Sequence, residues 1–173
     1  MFRYCPSCSS SRITCEKLRL FRCPDCGFIY FHNTAAAVGC VIITDGRILF
    51  LVRAKEPKAG KLNFPGGFIE PGEAVLEGLR RECREEIGWV PEGEFSFLAS
   101  FPNTYPFGGI VYNTCDLFFT VSAPGLTEKD LRLDDNEIAG VRFIRPEEID
   151  FEELAFDSAR EAVRAWIEKN RII

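Results

Sequence analysis

Two cysteine pairs near the start of the chain restrict its folding more than any other feature. Cys5-Pro-Ser-Cys8 and Cys23-Pro-Asp-Cys26 stand fourteen residues apart in a chain of 173. A two-residue gap lets one tight turn aim both sulfurs at a single ion, and two such knuckles close the tetrahedral S4 site that zinc favours. So short a stretch cannot bury a core of its own, so metal ligation would supply its folding energy. The spacing predicts a structural zinc ribbon over residues 1–34, with Cys5, Cys8, Cys23 and Cys26 as ligands and a short hairpin within 13–22. Gly27 follows the second pair and suits a cramped turn. A redox CxxC is the competing reading, for which one pair would suffice.

The chain has eight cysteines. Cys15 reads as a spare, and Cys40, Cys83 and Cys115 as small residues packed into apolar stretches. His32 is the sole histidine and lies outside any catalytic context, which excludes Ser–His and Cys–His nucleophilic chemistry. It reads instead as a hairpin or linker contact. Met1 to Cys8 shows no apolar leader segment. Ala35 to Ile43, the longest run without a polar side chain, falls far short of the ~20 residues of a membrane span. A cytoplasmic setting with reduced thiols and no membrane partner is the expectation.

Charge divides the chain at the same place as the cysteines. Residues 1–34 carry a net charge of +3 and the remainder −8, for a total of −5. That balance is unsuited to general nucleic-acid binding. An acidic body would need cations to accept a polyanionic substrate. Composition, at 46% hydrophobic and 27% charged, is that of a globular domain and excludes disorder and coiled coil.

Along the body, residues 38–44 and 47–53 form apolar β-type runs joined at Asp45-Gly46, a type I′ hairpin signal. Residues 73–88 read as a helix. Residues 95–101 and 111–121 read as strands, separated by a segment rich in Pro, Gly and aromatics. A charged loop, a strand over 138–144 and a short helical turn at 146–150 follow. Asp157-Ser158 is the predicted cap of a last helix ending near Asn170, with Ala159, Ala162, Val163, Trp166 and Ile167 on its apolar face. Helices packed on a mixed sheet are expected, an α+β arrangement.

Glu82, Glu85 and Glu86 recur at i, i+3 and i+4, which places three carboxylates on one helix face. Leu76, Leu79, Cys83 and Ile87 form an apolar stripe beside them. Unneutralised, the carboxylates repel one another. Hard divalent cations take such oxygens and bind substrate phosphates as well. A solvated acidic helix face is the plainer alternative.

The trio lies within a longer pattern: Gly67, five residues, Glu73, seven residues, then Arg81-Glu82-Cys83-Arg84-Glu85-Glu86-Ile87-Gly88-Trp89. This resembles the complete Nudix box, G-x5-E-x7-R-E-U-x-E-E-x-G-U with U apolar, and Cys83 occupies the first U. The resemblance implies a Nudix α/β/α sandwich over residues 35–173 behind the ribbon. It also implies that Glu82, Glu85 and Glu86 hold Mg²⁺ or Mn²⁺, with the Gly66 carbonyl as a further ligand. Glu73 and Arg81 would brace the loop against the helix. A cysteine ribbon ahead of such a domain resembles the NADH pyrophosphatase and ADP-ribose hydrolase branch, in which Glu137 would match a further metal-binding or water-orienting glutamate. The implied reaction is attack of a metal-activated water on a pyrophosphate phosphorus. Many family members are homodimers.

Substrate choice is less legible. Ser100-Phe101-Pro102-Asn103-Thr104-Tyr105-Pro106-Phe107-Gly108 resembles the S-Q-P-W-P-F-P-x-S motif of the NADH pyrophosphatases but lacks its tryptophan and is longer by two. Phe101, Tyr105, Phe107 and Tyr112 are candidates for stacking on a purine, and core packing is the alternative. The leading expectation is hydrolysis of a nucleoside diphosphate linked to a second group, of the ADP-ribose, NAD(H) or FAD type. A nucleoside triphosphate house-cleaning enzyme and a non-catalytic nucleotide-sensing or RNA-binding module are the alternatives. Nucleic acid is not an expected partner, but the basic ribbon leaves a nucleotide cap on RNA open.

Overall fold

The computed structural model describes residues 2–17 and 19–170. Near the start, β1 (Thr14–Glu16), β2 (Leu20–Arg22) and β3 (Ile29–Phe31) form a small antiparallel sheet. Phe21 is buried there, with the rings of Phe2 and Tyr30 packed about it.

The larger sheet is mixed and has six strands. Its strands are β4 (Ala35–Thr44), β5 (Arg47–Arg53), β6 (Leu62–Asn63), β7 (Ser96–Phe107), β8 (Ile110–Ser122) and β9 (Ile138–Ile144). The order runs β6-β5-β4-β8-β7, with β9 also paired to β5. Only β4 and β8 run parallel to each other; the other pairings are antiparallel. The β4–β5 turn has positive φ at both Asp45 (47°) and Gly46 (76°), as a type I′ turn requires.

Both faces of this sheet are covered, so the central strands read as continuous apolar runs. Successive side chains alternate between faces. Cys40, Ile42, Leu49 and Leu51 pack against α1 (Val75–Ile87), whereas Val41, Ile48 and Phe50 pack beneath α2 (Asp157–Asn170). The expected α/β/α sandwich is present. No described helix is long and apolar enough to cross a membrane.

Four expectations differ from the structure. The Pro- and Gly-rich segment after residue 101 is strand, and β7 runs on to Phe107. It tolerates Pro102 and Pro106 because β7 is the sheet edge. Prolines of equal parity leave their missing N–H on the same open side. The turn is Gly108-Gly109, both at positive φ. Secondly, Asp157 and Ser158 lie inside α2, and Ser158 donates to Asp116 instead of capping. Thirdly, Cys115 is exposed, whereas Cys40 and Cys83 are fully buried. Leu76, too, sits at the exposed rim of the α1 stripe, while Leu79, Cys83 and Ile87 are fully buried.

Candidate active site

Helix α1 is held at both ends by its own sequence. Glu77 reaches back to accept from the Ala74 amide at 2.9 Å. Gly88 takes φ 60° and donates to the Arg84 carbonyl, closing the last turn. The buried stripe fixes the helix rotation, and the acidic face therefore turns toward the loop between β6 and α1.

Arg81 joins that loop to the helix. Its Nε and Nη2 grip the two Glu73 oxygens at 2.9 and 3.0 Å, and Nη2 also donates to the Phe68 carbonyl at 3.0 Å. Nη1 donates to Glu82 at 2.8 Å and to Glu85 at 3.0 Å. All of the guanidinium donors are thereby engaged. The Arg81 fork holds the Glu73 carboxyl below its usual range.

The loop backbone passes very close to the sheet and the helix. Gly66 has φ 147°, and a Cβ there would lie 2.0 Å from the Val38 carbonyl oxygen. A Cβ on Gly67 would lie 2.6 Å from a Glu82 oxygen. The Gly66 amide donates to Glu86 at 2.7 Å.

Glu82, Glu86 and Glu137 line a cleft of about 520 Å³. Burial pushes the Glu86 carboxyl up to about 8; the Gly66 amide opposes this, and the charges of Glu82 and Glu137 add to it. Burial likewise raises Glu82, against the pull of Arg81. Glu85 stands apart from this group. Its side chain is 57% exposed and lies along Arg81. Arg81 offsets Glu82, and Arg53 and Lys55 also line the cleft. Among the described residues only the four cysteines already converge as metal ligands, so a divalent cation at the glutamates would bridge them through its retained waters.

The cysteines come together as expected. Sulfur separations are 3.6 Å for Cys5–Cys26 and for Cys8–Cys23, and all four sulfurs lie within 4.8 Å of one another. A tetrahedron with metal–sulfur bonds of ~2.3 Å has edges of about 3.8 Å, so the four residues fit zinc. Both knuckles use the same turn: Ser9 donates to Cys5 and Gly27 to Cys23, with φ of 60° and 74°. Nothing crowds Gly27, so its left-handed backbone, rather than cramped space, favours glycine. Cys15 is exposed and outside the cluster, and His32 packs edge-on against Tyr30.

The aromatic candidates separate. Tyr105 and Phe107 line the cleft. Tyr112 packs against Phe68, which also meets Tyr105 edge-on at 5.5 Å. Phe101 packs on Phe118 in the core under α2 and is not a wall of the cleft. Arg53, Lys55, Asp116 and Phe156 line the cleft and escaped the sequence reading. Arg53 and Phe156 are about a hundred residues apart, yet the guanidinium lies 5.3 Å from the ring centre. No local spacing signals such a pair.

The NUDIX domain family model matches residues 33–167. The chain belongs to this family. Nudix relatives include the NAD-capped RNA hydrolase NudC of Chromobacterium violaceum, 32% identical over 58% of this chain and 38% of that protein. The ADP-ribose pyrophosphatase of Methanocaldococcus jannaschii is 39% identical over 48% of this chain and 49% of that one. The human NAD-capped RNA hydrolase NUDT12 is 30% identical over 86% of this chain and 32% of its own length. The chain thus spans about a third to a half of these curated relatives. Among solved structures, a Nudix hydrolase from Nitrosomonas europaea superposes with a TM-score of 0.70 at 22% identity, covering 98% of this chain and 92% of that one. The Nudix domain of Shewanella oneidensis NrtR, complexed with ADP ribose, gives 0.64 at 19% identity, covering 80% of this chain and 90% of its own. These structures establish the fold.

Proposed function

We propose that this chain hydrolyses the pyrophosphate bond of a nucleoside diphosphate linked to a second group, of the ADP-ribose, NAD(H) or FAD type, with a divalent cation. The observation that carries this reading is the convergence of Glu82, Glu86 and Glu137 on one cleft with an aromatic wall and the basic Arg53 and Lys55. Relatives named for ADP-ribose and for NAD-capped RNA support the substrate class.

Glu82 and Glu86 would hold the cation, Mg²⁺ or Mn²⁺, with the Gly66 carbonyl as a further ligand. Glu85, 57% exposed and bonded to Arg81, would complete the ligand set by turning from that contact. When bound, the cation supplies Lewis-acid activation of water and neutralises phosphate charge. Glu137 orients the attacking water and takes its proton. Arg53 and Lys55 draw the diphosphate into an otherwise acidic cleft. Glu73 and Arg81 position the loop and do not touch substrate. Residues 1–34 form a separate zinc ribbon and 35–173 the hydrolase domain. Thiolate zinc ligation fits a reducing, cytoplasmic setting.

The test is a product-resolved comparison of ADP-ribose, NADH, NAD, FAD and nucleoside triphosphates with Mg²⁺. AMP from the first four supports the reading. Preference for triphosphates with release of pyrophosphate overturns it in favour of the house-cleaning class. Binding without turnover indicates a sensor.

A further inference from the structure

Asp116, in the middle of β8, is only 9% exposed and lines the same cleft as the glutamates. One of its oxygens, Oδ2, is fully engaged. It accepts from Asn103 Nδ2 at 2.9 Å and from Ser158 Oγ at 2.6 Å. These bonds tie β7 and the start of α2 to β8, and a carboxylate at a helix N-terminus is favourably placed. That accounts for half of the carboxylate only. Oδ1 is buried and has no partner, and neither has the buried hydroxyl of Thr114, two residues earlier on the same strand face. Thr114 lines the same cleft. Unpaired buried oxygens are costly, and two on one strand face beside a cleft fit a ligand that offers both a donor and an acceptor.

Strand pairing sets their distance from the glycine loop that adjoins the glutamates. Asp116 stands opposite Ala37 on β4, and Ala37 bridges Phe68, which follows the Gly67 that abuts Glu82. Two strand spacings make about 10 Å. That separation suits a nucleobase whose diphosphate lies at the glutamates. Tyr105 and Phe156, with ring centres 5.7 Å apart, supply apolar faces in the same cleft.

A carboxylate oxygen only accepts, whereas a hydroxyl can donate. The matching ligand edge places an amino donor beside a ring-nitrogen acceptor. Adenine has that edge, with N6–H₂ next to N1 or N7, whereas guanine and hypoxanthine place the O6 acceptor where adenine has its amine. We propose that Asp116 and Thr114 form an adenine-recognition subsite: Asp116 Oδ1 accepts from the amino group and Thr114 donates to the ring nitrogen. This rests on the hydrolase reading for the placement of the diphosphate.

The experiment is calorimetric titration of AMP and IMP into the full chain with Mg²⁺, so that no turnover is needed. Wild type is expected to favour AMP on the order of tenfold. In Asp116→Asn the single amide oxygen stays with Asn103 and Ser158, and the NH₂ turns to the cleft. The preference should then vanish or reverse toward IMP. Thr114→Val removes a hydroxyl with no protein partner, so the fold should be unharmed and AMP affinity reduced. Equal affinities in wild type, no binding of either nucleotide, or unchanged preference in a folded Asp116→Asn protein overturns the subsite. If Asp116→Asn does not fold, undiminished AMP affinity in Thr114→Val does the same. Absent hydrolysis with selectivity intact counts against the hydrolase reading alone.

Discussion

The Gly66 amide donates to a carboxylate oxygen of Glu86 at 2.7 Å, pinning the glycine loop to the acidic face of α1. The bond exists because the loop backbone approaches where no side chain fits. A Cβ on Gly66 would overlap the Val38 carbonyl at 2.0 Å. Gly66→Ala is therefore expected to destabilise the protein by roughly 2–4 kcal/mol and to displace Glu86. Denaturant unfolding checks this, and a change within experimental error would mean that the loop is free to move away.

Arg81 serves Glu73, the Phe68 carbonyl, Glu82 and Glu85 at once. Lysine keeps the charge and loses the fork. Arg81→Lys should lower kcat/KM by about 10- to 100-fold, mainly through kcat, because the loop and carboxylates lose register. Steady-state kinetics with both parameters resolved is the check; a pure KM effect would instead place Arg81 on the substrate.

Glu86 makes the metal-free protein pH-sensitive. Burial raises its carboxyl from 4.5 to about 8 in the native state, against the Gly66 amide, with Glu82 and Glu137 adding to the rise. The native state thus holds a proton that the unfolded chain releases. The associated stability is complete below the unfolded value and is lost as pH rises through the native one. In chelator, the melting temperature of wild type should fall relative to that of Glu86→Gln between about pH 5 and pH 8.5, and Mg²⁺ should restore more at the upper end. A wild-type-to-variant difference that does not change with pH would contradict this.

The four converging sulfurs predict about one zinc per chain, bound by thiolates. Cys23→Ser should abolish stoichiometric zinc, measured by elemental analysis, and disorder the small sheet, measured by amide exchange. Metal-free protein with that sheet still protected would refute the assignment.

Legibility followed the range of the interactions. The box and the cysteine pairs are local patterns; turn geometry brought the four sulfurs together, whereas the helix face put Glu82 and Glu86 in one cleft and left Glu85 apart on Arg81. The apolar hairpin was equally plain, because Asp45-Gly46 specifies its own turn. The extension of β7 was hidden, because Pro102 and Pro106 argue against a strand until its edge position is known. Asp116 was invisible for another reason: its partners, Asn103 and Ser158, come from the neighbouring strand and a distant helix. Phe101 shows the converse, an aromatic in a suggestive segment that pairing directs into the core.

Mg²⁺-dependent hydrolysis of ADP-ribose by Glu86→Gln tests the role of the buried glutamate cluster most directly. Glutamine can still accept from the Gly66 amide, and it removes a buried charge, so the fold should persist with an unchanged or higher melting temperature in chelator. The expected result is a fall in kcat of about 10²-fold or more in a protein that stays folded. Turnover equal to wild type would contradict it.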